Sequence, residues 1–214
     1  MKIGIATTTT LACAVLSGAT LAQQPNPIDI ALARMEGTTS VSYSPTFSNG
    51  KIIGCGIEFN AVVRDWAFRK GEYDKVSGSF GIMTANQNIA PVLKVVVHEL
   101  DRGDFSLKPV PPKKAYVISG NRSNFDKLVS SYNSDTPGAL FSVFQLEPTV
   151  KMYADALGSG TLSIRYGKSA SGIDAPLRID LRVVETQDSG NRVRSDKPIE
   201  EMFGCISDLF KSVR

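Results

Sequence analysis

Hydrophobic and polar residues alternate with a period of two through most of the chain after residue 22, and turn residues separate the alternating stretches. This pattern predicts a largely antiparallel β protein. The first two strands, 40–47 and 51–60, lie on either side of Asn49-Gly50. An Asn-Gly pair between alternating stretches favours a two-residue hairpin turn.

Further strands are expected wherever the alternation resumes after a turn. They are predicted at 76–83, 90–100, 115–119, 139–146, 150–157, 161–166 and 177–184. The stretch 90–100 is apolar on both faces, which is typical of a central strand. Trp66 and Phe68 have the opposite parity to the apolar positions of the preceding strand, so a β-bulge is expected near Val62–Asp65.

One short helix is predicted inside the chain, capped by Ser123 or Asn124. Its apolar positions, at helical spacing, are Phe125, Leu128, Val129 and Tyr132.

A longer helix is predicted at the C-terminus, over about 197–212. Asp196 suits its N-cap, and Pro198 suits its first turn. The apolar stripe of this helix consists of Ile199, Met202, Phe203, Ile206, Leu209 and Phe210. Cys205 falls on the flank of the stripe, so we expect the helix to lie on the sheet with Cys205 facing an early strand.

The first 22 residues have the layout of a cleaved secretory signal peptide. Lys2 precedes an uncharged apolar stretch, and small residues lead to Thr20-Leu21-Ala22. We expect cleavage after Ala22 and a single β-rich domain over 23–214. A membrane anchor is the weaker alternative, because the strongly apolar run is well short of the ~20 residues that span a bilayer.

Removal of the signal takes Cys13 with it and leaves Cys55 and Cys205. Two cysteines in an exported chain predict one disulfide. The alternative is a metal site, which needs about four ligands, and His98 is the only histidine that could join the two thiols. The predicted fold is therefore mainly β (α+β): an antiparallel sandwich- or barrel-like sheet with one short internal helix and a C-terminal helix attached by a disulfide.

Composition excludes several classes of protein. The chain has 214 residues, of which 42% are hydrophobic and 21% charged, so disordered, collagen-like and coiled-coil proteins do not fit. The net charge of +3 is too small to indicate nucleic-acid binding. No transmembrane segment is expected after signal cleavage.

Candidate catalytic chemistry is sparse. His98 is the only imidazole, and the chain has no Gly-x-Ser-x-Gly motif. Carboxylates on or beside predicted strands are Asp65, Glu72, Asp74, Glu99 and Asp155, and nothing in their spacing separates them from solvated charges. We therefore predict no catalytic, cofactor-binding or metal-binding residue and no cofactor.

The sequence favours an exported, disulfide-linked, non-catalytic binding protein whose partner is an envelope or extracellular protein or glycan. Exposed loops are its expected binding surface. The candidate residues are Asn49, Gly50, Arg102, Gly103, Asp104 and Lys168. Two alternatives stay open: a hydrolase of envelope polymers that uses carboxylates or His98, and a host-directed adhesin that uses the Arg102-Gly103-Asp104 tripeptide.

Overall fold

A computed structural model describes residues 26–85, 88–101, 103–104, 106–134 and 136–212. The predicted signal peptide, 1–22, and Arg102 lie outside these described residues. The predicted fold class is confirmed: the protein is mostly β, its sheets are antiparallel, and a disulfide joins its C-terminal helix to a strand.

The helices are α1 (Pro27–Met35), α2 (Leu146–Ser159) and α3 (Lys197–Ser212), with one 3₁₀ turn at Phe125–Lys127. The strands are β1 (Gly37–Tyr43), β2 (Thr46–Ser48), β3 (Lys51–Asp65), β4 (Glu72–Ala85), β5 (Asn88–Leu100), β6 (Leu107–Pro109), β7 (Lys114–Ser119), β8 (Arg122–Ser123), β9 (Leu128–Asn133), β10 (Ala139–Phe144), β11 (Thr161–Gly167), β12 (Ala175–Asp180), β13 (Val183–Thr186) and β14 (Arg192–Arg194).

The strands form a larger sheet, a smaller sheet and a hairpin. The larger sheet has the order β1-β3-β4-β5-β10-β9, with β2 paired to β3 and β6 paired to β5. The smaller sheet has the order β12-β11-β7-β8, and β13 pairs with β14. Strand β5 lies between β4 and β10, which confirms its predicted central position.

One face of the larger sheet is buried beneath α2, α3 and the smaller sheet. On β3 the inward residues are Cys55, Ile57, Phe59, Ala61, Val63 and Asp65. The middle of this row shares one core with Leu162 and Ile164 of β11 and with Met152 of α2. The beginning of the row, at Cys55, contacts α3 through Cys205 and Leu209.

The predicted hairpin at Asn49-Gly50 is confirmed by the pairing of β2 with β3. Both turn residues have positive φ, 50° at Asn49 and 74° at Gly50. Two successive positive φ angles match the twist of the flanking strands, which explains the Asn-Gly pair.

Two predicted elements are wrong: a segment predicted as a helix contains a strand, and a segment predicted as a strand belongs to a helix. The segment predicted as an internal helix forms the 3₁₀ turn and β9, which pairs with β10. The segment predicted as strand 150–157 belongs to α2, whose buried residues are Thr149, Met152, Tyr153, Ala156 and Leu157. Over such short stretches, helical spacing and strand alternation cannot be told apart, so the contacts that each segment makes in the fold determine its secondary structure. Gly160, in the left-handed conformation with φ of 70°, ends α2.

Smaller differences concern the ends of predicted strands. The β-bulge predicted near Val62–Asp65 is wrong, because β3 pairs with β4 without a register shift up to its end at Asp65. Trp66 follows the strand and is 72% exposed. The strand predicted over 177–184 is divided between β12 and β13, and the loop predicted after it contains β14. Helix α1 has no counterpart in the predicted elements.

The C-terminal helix occupies the predicted segment, but its buried stripe is narrower than predicted. Ile199, Met202, Cys205 and Leu209 are buried, whereas Phe203 and Phe210 are exposed by 47% and 37%. The predicted disulfide between Cys55 and Cys205 is present, and it joins residues 150 positions apart.

We expect Cys55→Ser and Cys205→Ser to lower the free energy of unfolding by similar amounts, because each removes the same cross-link. A loop of this length gives at most about 5 kcal/mol in the chain-entropy model. Thermal unfolding of the two variants and of the double variant measures the effect. The double variant should lose no more than either single one, and additive losses would contradict a shared bridge.

Two neighbouring residues of α3 test how the helix docks. Met202 is completely buried and Phe203 is nearly half exposed. Met202→Ala should therefore cost about 2–5 kcal/mol of unfolding free energy. Phe203→Ala should cost less than about 1 kcal/mol. Urea denaturation measures both, and equal losses would contradict this orientation of α3.

Candidate functional site

The inward rows of several strands end in charged side chains at the same end of the core. Asp65 closes the row of β3, Glu72 and Asp74 begin the row of β4, and Glu99 follows the inward residues of β5. Lys168 lies just after β11 of the smaller sheet. Together with Arg69, from the turn between β3 and β4, these residues form what we call the charged cluster.

Arg69 joins two of the carboxylates in the charged cluster. Its Nη1 lies 2.7 Å from Oδ1 of Asp74, and its Nε lies 3.7 Å from Oε2 of Glu99. The guanidinium also donates to the carbonyl oxygens of Tyr73 and Leu100, at 3.2 and 3.0 Å. Since a guanidinium has five N–H donors, one side chain holds the ends of β4 and β5 together.

Lys168 joins the two sheets. Its ammonium contacts the carboxylate of Glu99 and lies 3.6 Å from Oδ2 of Asp65. The same ammonium lies 5.0 Å from the centre of the Phe68 ring. The Asp65 carboxylate also accepts a hydrogen bond of 2.7 Å from the backbone N–H of Phe68, which orders the turn that carries Arg69.

The protonation of Asp74 is unusual. Its side chain is completely buried, and burial raises the pKa of its carboxyl from the ordinary 3.8 to about 6, although Arg69 opposes the shift. Nearby Asp65 raises this pKa further. Among the described residues, Oδ2 of Asp74 and Oδ2 of Asp65 accept no hydrogen bond.

A polar cleft of about 300 Å³ opens beside the charged cluster. Its lining residues are Arg69, Glu72, Glu99, Leu100, Asp101 and Lys108. Lys108 pairs with Asp101 across the turn that follows β5. The cleft therefore exposes both positively and negatively charged side chains to solvent, and ion pairs join several of them.

The structure places the predicted binding loops at two ends of the sheet. Lys168 belongs to the charged cluster, and Gly103 and Asp104 lie in the exposed turn between β5 and β6. Both loops therefore lie near Glu99. The Asn49-Gly50 turn precedes β3, at the opposite end from Asp65, and is not part of this site.

His98 does not join the charged cluster. It neighbours Glu99 along β5 but has the opposite parity, and it pairs with Lys75 and Pro109. Burial and the charge of Lys75 lower the pKa of its imidazole below the ordinary value. Among the described residues, no group hydrogen-bonds its Nδ1.

From the sequence, five members of this region are candidates, the carboxylates Asp65, Glu72, Asp74 and Glu99 and the loop residue Lys168, but what connects them is not found there. The sequence feature that could have identified them as a cluster is their position in the inward/outward alternation of the strands. Three of the carboxylates lie two residues beyond an inward apolar position: Val63 for Asp65, Val76 for Asp74 and Val97 for Glu99. Lys168 likewise lies two residues beyond Tyr166. Arg69 carries no such signal, because it lies in a turn.

Comparisons with known proteins give no relative: no family model, no curated protein and no solved structure matches the chain significantly. Within the part of the chain that the structure describes, no helix is long and apolar enough to cross a membrane. The same residues contain no group of three or more His, Cys, Asp or Glu side chains arranged to hold a metal ion.

We expect the pH dependence of stability to depend on Asp74. Its pKa is higher in the folded state, about 6, than the ordinary 3.8, so the folded state binds this proton more tightly. The resulting stabilisation is complete below the lower value and is lost as the pH rises through about 6. The difference corresponds to about 3 kcal/mol, at roughly 1.4 kcal/mol for each pKa unit.

Urea denaturation at several pH values, from below 3.8 to above 6, measures the effect. The stability of the wild type relative to Asp74→Asn should fall as the pH rises, because only the wild type loses the proton. Asp208→Asn, at a largely exposed carboxylate of α3, is the matched control. If the free energy of unfolding of the wild type, relative to that of Asp74→Asn, rose with pH, the raised pKa would be contradicted.

Proposed function

We propose that this protein is an exported, non-catalytic binding protein that holds a polar partner in the cleft beside the charged cluster. The partner is a glycan or a polar segment of an envelope or extracellular protein. The Cys55–Cys205 disulfide is compatible with export, since such bonds persist in oxidising compartments.

The observation that carries this proposal is the convergence of two predicted loops around Glu99. Lys168 contacts Glu99 from the smaller sheet, and Asp101 and Lys108, on either side of the turn between β5 and β6, line the cleft beside Glu99. Residues on loops that a rigid scaffold holds in place are the usual carriers of recognition. Here the ion pairs of Arg69 supply the rigidity.

The chemistry of the lining decides the class of partner. Of the lining residues that the structure describes, Leu100 is the only apolar one, and the others carry charge. Sites for apolar ligands are lined mainly by hydrophobic and aromatic side chains, so this cleft suits a ligand that exchanges hydrogen bonds and charge contacts.

The hydrolase alternative fits the geometry less well. Glycoside hydrolysis needs two carboxyl groups that flank the scissile bond. Asp65 is 2% exposed and Asp74 is fully buried, so neither reaches a polymer in solution. Glu72, Glu99 and Asp101 line the open cleft, but Arg69 and Lys168 engage Glu99, and Lys108 engages Asp101.

The adhesin alternative has no direct support from the turn itself. The carboxylate of Asp104 accepts hydrogen bonds from the backbone N–H and the hydroxyl of Ser106, at 2.9 and 2.6 Å. These bonds lower the pKa of the Asp104 carboxyl, and both of them end at its Oδ1, so one carboxylate oxygen is already engaged within the turn.

Affinity capture tests the proposal. The oxidised protein, immobilised as bait, should retain one near-stoichiometric partner from the envelope fraction of its own source, identified by mass spectrometry. Lys108→Ala removes an exposed cation of the cleft and should lower recovery about tenfold, the effect of losing roughly 1.4 kcal/mol.

Lys51→Ala is the matched control. It also removes an exposed lysine, but this lysine lies at the start of β3, whereas Asp65 and the charged cluster lie at the end of β3. It should bind as the wild type does. Equal recovery with Lys108→Ala and the wild type would contradict the cleft as the binding site. Hydrolysis of envelope glycans that disappears in Glu99→Gln would contradict a non-catalytic function.

A further inference from the structure

The two edges of the larger sheet differ. At one edge, the β13–β14 hairpin covers β1: Nε of Arg192 and the hydroxyl of Thr186 donate to the carbonyl oxygen of Thr38, at 3.2 and 3.3 Å. Arg192 also contacts the carbonyl oxygen of Glu36. These side chains occupy backbone groups that an added strand would need.

The other edge is β9, and its outer side is open within the described residues. In the part of the chain that the structure describes, β9 pairs only with β10, and all six of its residues are exposed. The N–H of Ser134 donates to the carbonyl of Ala139, which defines the hydrogen-bonded positions of the ladder. By alternation, Tyr132 and Ser130 direct their backbone groups to β10, whereas Ser131 and Asn133 direct theirs outward.

The chemistry of β9 does not protect this edge. Native edge strands commonly carry charges or proline, which discourage pairing. Strand β9 reads Leu-Val-Ser-Ser-Tyr-Asn and has neither. Val129 is 64% exposed and Tyr132 is 55% exposed, and Tyr132 lies against the ring of Phe141 at 5.3 Å.

We propose that β9 pairs antiparallel with β9 of a second copy of this chain, which joins the two larger sheets across a two-fold axis. Self-pairing places no like charges opposite each other, because the strand is uncharged. It satisfies the outward backbone groups of Ser131 and Asn133 and covers Val129 and Tyr132. The covered β1 edge stops further addition at the far side of each sheet, so the assembly closes as a dimer instead of growing into a filament.

Sedimentation velocity of the full-length chain, expressed with its own N-terminus and oxidised at Cys55–Cys205, tests the dimer over about 1–100 µM. The wild type should be dimeric at the upper end of this range. Ser131→Lys and Ser131→Glu should each weaken the dimer at least about tenfold, because each places like charges near the two-fold axis. An equimolar mixture of the two variants should recover dimers.

Val193→Lys is the control, because Val193 is 41% exposed on β14, beside the opposite edge of the sheet. It should dimerise as the wild type does, and circular dichroism should show that all the variants are folded. A wild type that stays monomeric throughout the range overturns the proposal. So does an undiminished dimer in both Ser131 variants, or a mixture that gains nothing over its components.

Discussion

Burial of the inward face of the larger sheet is the constraint on which the rest of the structure depends. The inward row of β3 runs from Cys55 through Phe59 to Asp65, and each part of it is covered by a different segment. Helix α3 covers the beginning, while α2 and the smaller sheet cover the middle. Since α3 comes from the far end of the chain, its docking closes nearly the whole fold, and the disulfide fixes that closure.

The charged cluster resolves a problem that this arrangement creates. The rows of β3, β4 and β5 run on past the apolar core, and carboxylates occupy their last inward positions. Burying a carboxylate without a partner is costly, so Arg69 and Lys168 are recruited from a turn and from the other sheet. The compensation is incomplete at Asp74, whose pKa therefore rises. The result is a charged surface at the end of the apolar core, with its side chains joined by ion pairs.

The sequence predicts the parts of the fold that rest on local chemistry. The Asn49-Gly50 hairpin and the long strands carry their own turn and alternation signals, and α3 carries a long apolar stripe. The pairing of Cys55 with Cys205 follows from the predicted signal peptide, because its removal would take Cys13 away and leave two cysteines. Short segments fail for a physical reason: Phe125 to Tyr132 has helical spacing, yet β10 offers it a ladder of backbone hydrogen bonds, and that tertiary contact prevails.

The candidate site is predictable only in part, because its members come together through the register of the sheet. The pairing of Asp74 with Glu99 across β4 and β5 follows from a register that spans both strands. A shift by one residue would turn these carboxylates to the outer face. The apolar rows that hold the register, with Val76 opposite Val97, therefore also place the charges. The core sets the geometry of the cleft. The open β9 edge lies two strands from β5 in the same sheet, and none of the described residues of β9 lines the cleft.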